Sequence, residues 1–287
     1  MVVKEQLAYL LLAAMKQIIF TDLDGTLLDS VTYSHEKSLA TLNRLKEKGI
    51  PIIFCSAKTR AEQEAYRRKM EVIHPFIVEN GGAIFIPQGY FPFSFSYHKI
   101  VDELLVIKLG IPYSEIRKLL GRIKEEGKFH FRGFGDMTAE EVARESGLDI
   151  ESAKLAKQRE YDETVVIASE AKESHITPEK VDKFLERIKQ VGLNWTHGGR
   201  FYEVMGDNDK GKAVKIVSDL YCRMWGEIET IGLGDSLNDL PMLSAVDIPI
   251  LVQKRDYTWE SINLPRLRKV QGVGPEGWSG AIEEIIS

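Results

Sequence analysis

Apolar positions along the chain fall into two rhythms. Ile18-Ile19-Phe20, Pro51-Ile52-Ile53-Phe54-Cys55 and Phe76-Ile77-Val78 are short and almost wholly apolar, as strands buried on both faces are. Between the first two, Ser34 predicts the cap of a helix running through Gly49, with Leu39, Leu42 and Leu45 on one face. Thr59 and Glu62 predict a capping box for the next helix. Strand, helix, strand, helix, strand is the pattern of a parallel doubly wound sheet. Residues 83–97 read as two apolar pieces around Pro87-Gln88-Gly89, a hairpin expected to leave that sheet.

From about Tyr97 to about Val204 the rhythm changes. Ser114 predicts a helix carrying Ile116, Leu119, Leu120 and Ile123 and stopped by Gly127. Thr138 and Glu141 predict another capping box, and Thr164 to Ser169 a strand. Thr177-Pro178 opens a helix with Val181, Phe184, Leu185 and Ile188, stopped by Gly192. This stretch is α+β in character. The first rhythm then resumes with a helix from about Lys210, a strand Ile228–Gly234, a strand Ile248–Val252 and a closing helix Ala281–Ile286. The expected fold class is therefore α/β, with a Rossmann-like doubly wound parallel-sheet core at 1–87 and 206–287. An inserted α+β lobe is expected at 88–205, hinged near 86–98 and 202–208.

Composition narrows the partners. The 287 residues are 44% hydrophobic and 28% charged, with net charge −5, so no basic excess argues for nucleic acid and no polybasic run for a membrane surface. Cys55 and Cys222 have neither metal-ligand spacing nor disulfide density, which fits a reducing, cytoplasmic setting. Leu7 to Ala14 form a short apolar segment after Lys4, too short to span a bilayer. It resembles a signal-peptide core, but a strand follows at once and Met15 is itself a natural start. An N-terminal extension or mis-called start is the expectation. Oligomeric state is left open.

The chemistry sits at the strand ends. The first strand ends on Asp22, with Asp24, Gly25 and Thr26 behind it. Two acids held together there are costly unless a cation or proton lies between them. Gly25 lets the backbone turn sharply. Ser56 ends the second strand, Lys210 begins a helix, and Asp235 with Asn238 and Asp239 follows the Ile228–Gly234 strand. In a parallel sheet these ends share one edge, where ligands bind. The set suggests phosphoryl transfer, with Mg²⁺ held by a few carboxylates. Lys210 pairs with phosphate and holds Asp22 ionised, and the Ser56 hydroxyl holds a remaining oxygen. Singly, each residue reads as a turn, a cap or a solvated charge. Gly232-Leu233-Gly234 lacks the third glycine of a dinucleotide loop.

Asp22-Leu23-Asp24-Gly25-Thr26, Ser56, Lys210 and Gly234-Asp235-Ser236-Leu237-Asn238-Asp239 together resemble the four motifs of the haloacid-dehalogenase-like hydrolases. The long lobe, preceded by Glu79-Asn80-Gly81-Gly82, resembles the branch with a large αβ cap. The resemblance implies that Asp22 attacks phosphorus and that Asp24 protonates the leaving oxygen and then activates water. It implies Mg²⁺ on Asp22, the Asp24 backbone carbonyl and Asp235, with Asn238 and Asp239 close behind. Ser56, Lys210 and Thr26 are implied to bind phosphate. Lys212 competes with Lys210 across Gly211, and Lys210 is preferred because the related pattern puts lysine before glycine. An acid at Asp24 favours a phosphatase or phosphomutase over the ion pumps and dehalogenases of the superfamily.

Within that branch, Cys55 to Arg60, Arg132 to Thr138, Arg159 to Glu163 and His197 to Phe201 resemble phosphatases that act on a phosphorylated sugar glycerate. Such a small molecule carries a carboxylate and hydroxyls. Gly198-Gly199 could offer N–H groups to an anion, and Arg132, Arg200 or Arg60 could fork onto a carboxylate. Competing readings are another sugar phosphatase, a phosphomannomutase, and a ligand-binding protein without turnover. The last would have no need of Asp24.

Overall fold

The computed structural model describes residues 15–126, 129–167, 177–198 and 201–287. The segment Leu7–Ala14, Gly127, Ser169, Gly199 and Arg200 lie outside the described residues. No helix among the described residues is long and apolar enough to cross a membrane.

In chain order the core elements are β1 (Lys16–Thr21), α1 (Leu39–Glu47), β2 (Ile52–Cys55), α2 (Arg60–Met70), β3 (Phe76–Val78), β4 (Ala83–Pro87), β5 (Lys99–Val101) and β6 (Leu104–Lys108). The second lobe follows with α3 (Tyr113–Glu125), β7 (Phe131–Gly133), α4 (Ala139–Ser146), α5 (Ile150–Ala156), β8 (Asp162–Ile167), α6 (Pro178–Gln190), β9 (Asn194–Gly198) and β10 (Phe201–Met205). The chain closes with α7 (Lys210–Trp225), β11 (Ile228–Gly234), α8 (Leu240–Leu243), β12 (Ile248–Gln253), β13 (Arg268–Val273) and α9 (Pro275–Ile286).

One sheet runs β13-β12-β11-β1-β2-β3-β4-β6-β5. Its pairs from β13 through β3 are parallel, and those from β3 to β5 antiparallel. Alternation along the strands fills both faces. Ile19, Phe54, Phe76, Ile231 and Leu233 pack with Leu42 and Leu45 of α1 and Trp278 and Ile282 of α9. Ile18, Phe20, Ile53, Cys55 and Ile77 pack on the other face with Ala213, Val214 and Val217 of α7. The strand order reverses at β1, where β2 lies on one side and β11 on the other. That switch point opens a crevice at the strand C-termini.

The expected hairpin after residue 83 does not leave the sheet. β4 turns back along β3, with Phe76 opposite Phe85, and β6 and β5 extend the same sheet. Ile84 and Ile86 are fully buried, which holds β4 in the sheet, while the turn at Pro87-Gln88-Gly89 forms after it, with the Tyr90 amide donating to the Pro87 carbonyl at 3.1 Å. The first helix is also shorter than expected. A 3₁₀ turn at Glu36–Ser38 precedes it, and Ser34 Oγ accepts from the Glu36 amide instead of capping an α-helix. The third helix starts from Pro112 rather than Ser114. Both capping boxes form, Thr59 with Glu62 and Thr138 with Glu141.

The second sheet, β7-β8-β10-β9, is antiparallel. Val165 and Val204 turn to one face and pack with Ile116 and Leu120 of α3 and Phe184 and Ile188 of α6. The opposite face looks toward the strand ends of the large sheet. Glu79, fully buried at the end of β3, ties the lobes together by accepting the amide N–H groups of Glu160, Tyr161 and Asp162. Arg159 adds a second tie, donating to Asp162 Oδ1 at 2.6 Å and to the Ala57 carbonyl at 2.9 Å.

Gly81, at φ +86°, is where the loop after β3 meets the start of α7. A Cβ there would overlap the Asp209 carbonyl and come within 2.9 Å of the Lys210 nitrogen. Gly81→Ala should cost roughly 2 kcal/mol or more, since positive φ and backbone overlap add. Denaturant titration checks this, and an unchanged midpoint would remove the close approach as a constraint on Lys210.

Candidate active site

Asp22 follows β1 directly. Its amide donates to the Leu233 carbonyl of β11 at 2.9 Å, which fixes the residue between the two central strands. Lys210 reaches it from the first turn of α7. Lys210 Nζ lies 2.7 Å from Asp22 Oδ1 and 2.7 Å from Asp239 Oδ1, and the lysine is only 1% exposed. Burial works against its charge, but the carboxylates of Asp22 and Asp239 outweigh burial and hold it above the ordinary lysine range. Lys212, two residues on, is exposed and pairs with Asp207.

Asp239 Oδ2 accepts the amides of Asp235 at 3.0 Å and Ser236 at 3.2 Å. Asp235 is less well supplied. Its Oδ1 accepts from Thr26 Oγ1 at 3.5 Å. Burial, then the negative charge of Asp239 and Asp22, pushes Asp235 well above the carboxylate range. Burial also raises Asp239, with Lys210 opposing. Carboxylate oxygens of Asp22, Asp235 and Asp239 all lie within 4.8 Å of one another. Three carboxylates facing one ammonium group are short of positive charge, and an all-oxygen set of this size fits a hard divalent cation. Gly25, at φ +79°, folds onto this cluster, where a Cβ would come within 2.8 Å of Asp235 Oδ2.

Asp24 stands on the other side of the turn. Lys58 Nζ approaches Asp24 Oδ2 at 3.0 Å and Glu62 Oε1 at 3.2 Å, and lies over the Tyr33 and Tyr66 rings. Burial pushes the Asp24 carboxyl up, Lys58 pulls it down, and Glu62 adds to the rise. Asp24 Oδ1 has no hydrogen-bond partner among the described residues. A carboxyl raised in this way retains its proton further toward neutrality, as a proton donor requires.

Ser56 is buried at the end of β2, its hydroxyl accepting the Lys58 amide at 3.3 Å. Asn238 accepts from Ser236 Oγ and donates to Asn80 Oδ1. Thr26 is fully buried against Asp235. A cavity of about 280 Å³ has Asp22, Asp24, Ser56, Asp235 and Asn238 on its core side and Gly198, Phe201, Thr164 and Glu203 on the side of the second sheet. Residues more than two hundred positions apart thus converge.

The substrate arginines are not all brought together. Arg132 is exposed on β7, bonded to Glu141 at 2.7 Å, and does not line this cavity. Arg60 is engaged by Glu160 at 3.0 Å and Asp102 at 2.9 Å, outside it. Gly198 does line it, and a Cβ there would come within 3.2 Å of Asn238 Nδ2. Sequence reasoning missed Lys58, Arg159, Thr164 and Glu203. Lys58 and Arg159 lie in runs that carried the resemblance, but their partners are distant in sequence. Glu203 gave no signal, because β10 was not recognised as a strand.

The sequence profile of the haloacid dehalogenase-like hydrolases matches residues 19–259. A glucosyl-3-phosphoglycerate/mannosyl-3-phosphoglycerate phosphatase of Methanococcoides burtonii is 50% identical over 273 residues, covering 95% of this chain and 98% of the relative. One with the same name from Persephonella marina is 42% identical, covering 94% of this chain and 97% of the relative. Among solved structures, a Thermoplasma acidophilum protein superposes with a TM-score of 0.65 at 16% identity, over 95% of this chain and 99% of that one, and so shares the fold. The chain belongs to the haloacid dehalogenase-like hydrolases.

Proposed function

We propose that this chain is a Mg²⁺-dependent phosphatase that releases phosphate from mannosyl-3-phosphoglycerate and from its glucosyl counterpart. The observation that carries this reading is Asp22, just past the C-terminal end of β1, ion-paired to buried Lys210 and lining a cavity that the second sheet covers on its other side. The two relatives named for those substrates, matched over nearly their whole length, support the choice. The lobe with the second sheet acts as the cap that selects substrate. Two free cysteines, one buried, suit an enzyme of the cytoplasm.

Asp22 Oδ attacks phosphorus as the ester P–O bond breaks, and Asp24 gives its proton to the departing glycerate oxygen. Asp24, now a carboxylate, takes a proton from a water that attacks phosphorus, and the Asp22 O–P bond breaks to free phosphate. Lys210 and Ser56 hold phosphate oxygens, with Thr26 steadying Asp235. Asp22, Asp235 and the Asp24 backbone carbonyl would hold Mg²⁺, with Asn238 and Asp239 beside them. Bound there, Mg²⁺ would supply positive charge to offset that on the transferring group. No role in binding substrate is assigned to Arg132 while Glu141 occupies it. Gly198, Gly199 and Arg200 are proposed to receive the glycerate carboxylate.

Phosphate release is the test, measured with Mg²⁺ over both glycosyl-3-phosphoglycerates, 3-phosphoglycerate, mannose 6-phosphate and sucrose 6-phosphate. The glycosylated phosphoglycerates should exceed the others in kcat/KM by at least ~100-fold, about 2.7 kcal/mol. Chelating the divalent cation should abolish turnover. Equal, low rates across the panel would sink the named substrates and leave the phosphatase.

A further inference from the structure

Thr164 and Glu203 sit opposite each other where β8 and β10 pair antiparallel. Their neighbours Val165 and Val204 face the cap helices, so Thr164 and Glu203 face the cavity, and both line it. Thr164 is 2% exposed and Glu203 6%. Neither Thr164 Oγ1 nor Glu203 Oε2 has a hydrogen-bond partner among the described residues. Two adjacent buried polar atoms left unpaired cost stability, because each gives up water for nothing. The cations nearby offset the charge of buried Glu203 only in part. Asp162 opposes its charge, Arg159 is taken by Asp162 and the Ala57 carbonyl, and Lys210 by Asp22 and Asp239. The phosphate chemistry uses neither residue. Beside them, Phe134 and Phe201 meet edge to face at 5.4 Å and line the same cavity, giving an apolar wall.

We propose that Glu203 and Thr164 form the subsite that hydrogen-bonds the hydroxyls of the substrate's glycosyl unit, with Phe134 and Phe201 against its C–H face. Glu203 accepts from a hydroxyl, and the Thr164 hydroxyl bonds a second one. A carboxylate and an aromatic wall recognise a polyol ring, not a phosphate. The glycosyl identity rests on the function proposed above, and the hydroxyl chemistry does not.

Two substrates separate the roles. A glycosyl-3-phosphoglycerate presents sugar hydroxyls, and an aryl phosphate presents none. Glu203→Ala should lower kcat/KM for the former by roughly 30-fold, chiefly through KM, and Thr164→Val by roughly 5-fold. Aryl phosphate turnover should stay within about 2-fold for both variants, because its contacts are untouched. Glu203→Gln keeps an acceptor oxygen and should recover part of the loss. Thr164→Val keeps the side-chain shape, so it carries the test if Glu203→Ala folds poorly. Equal losses on both substrates would mean a structural role and overturn the proposal, as would no loss on either. If the wild-type enzyme prefers a different hydroxylated phosphate, the same selective loss on that compound would uphold the subsite while sinking the named substrate. A wild-type enzyme that favours aryl phosphate over every hydroxylated one overturns it.

Discussion

Asp22→Asn is expected to lower kcat by at least about 10,000-fold on glycosyl-3-phosphoglycerate and on aryl phosphate alike, since no attacking oxygen remains. The fold should survive. The asparagine oxygen can still accept from Lys210, which keeps its 2.7 Å bond to Asp239. One negative charge also leaves a cluster whose members already raise Asp235. The midpoint of thermal unfolding should therefore be equal or higher. Asp24→Asn should separate from it. Losing the proton donor costs about 100- to 10,000-fold where the leaving group is a sugar-acid alkoxide, and less where an aryl oxygen leaves unaided. Steady-state kinetics on both substrates check the pair. Asp22→Asn retaining more than a few per cent of activity would remove Asp22 as nucleophile. Equal losses in kcat/KM for Asp24→Asn on the two substrates would remove Asp24 as acid, because kcat/KM ends at departure of the leaving group and does not include the shared water-attack step.

The core of this site was legible because strands buried on both faces announce themselves. All of β2 and the C-terminal parts of β1 and β11 are buried and almost free of charge, and each strand is followed by a polar residue that the parallel topology delivers to one edge. Lys210 stands at a helix start, which Asp209 caps through the Lys212 amide, but the family resemblance is what chose it over Lys212. The cap side was not legible for the opposite reason. β9 has no fully buried residue, and β10 begins with two partly exposed ones, so period-two alternation is blurred. Without the strand, Glu203 has no face. Arg132 lies away from the cavity, where a local acid nine residues along, Glu141, pairs with it on the surface. Lys58 was readable as part of a run but not as a partner of Asp24, because the contact crosses from one strand end to the next.

Lys210→Met should be the most damaging single change to the charge balance of the site. It removes the ammonium group that bridges Asp22 and Asp239 at full burial, and leaves Asp22, Asp235 and Asp239 facing one another. Breaking a buried pair from one side costs roughly 3–5 kcal/mol, and loss of the phosphate-binding cation roughly 1,000-fold in kcat. The sign with pH follows from the carboxyls. Burial and mutual repulsion hold Asp235 and Asp239 above their ordinary values in the folded protein, so over that interval the folded state binds more protons than the unfolded chain. Stability then falls as pH rises through the folded pKa values. Removing Lys210 raises those values further, so in metal-free buffer the deficit against wild type should be small near pH 5 and large at pH 8. Denaturant titrations at both pH values measure it. Lys212→Met is the control, since that exposed lysine pairs at the surface with Asp207 and Asp209 and should change stability by less than about 0.5 kcal/mol. A deficit that stays constant with pH, or grows toward pH 5, would mean that the carboxylates do not depend on Lys210 for their compensation. The cation would then serve phosphate alone.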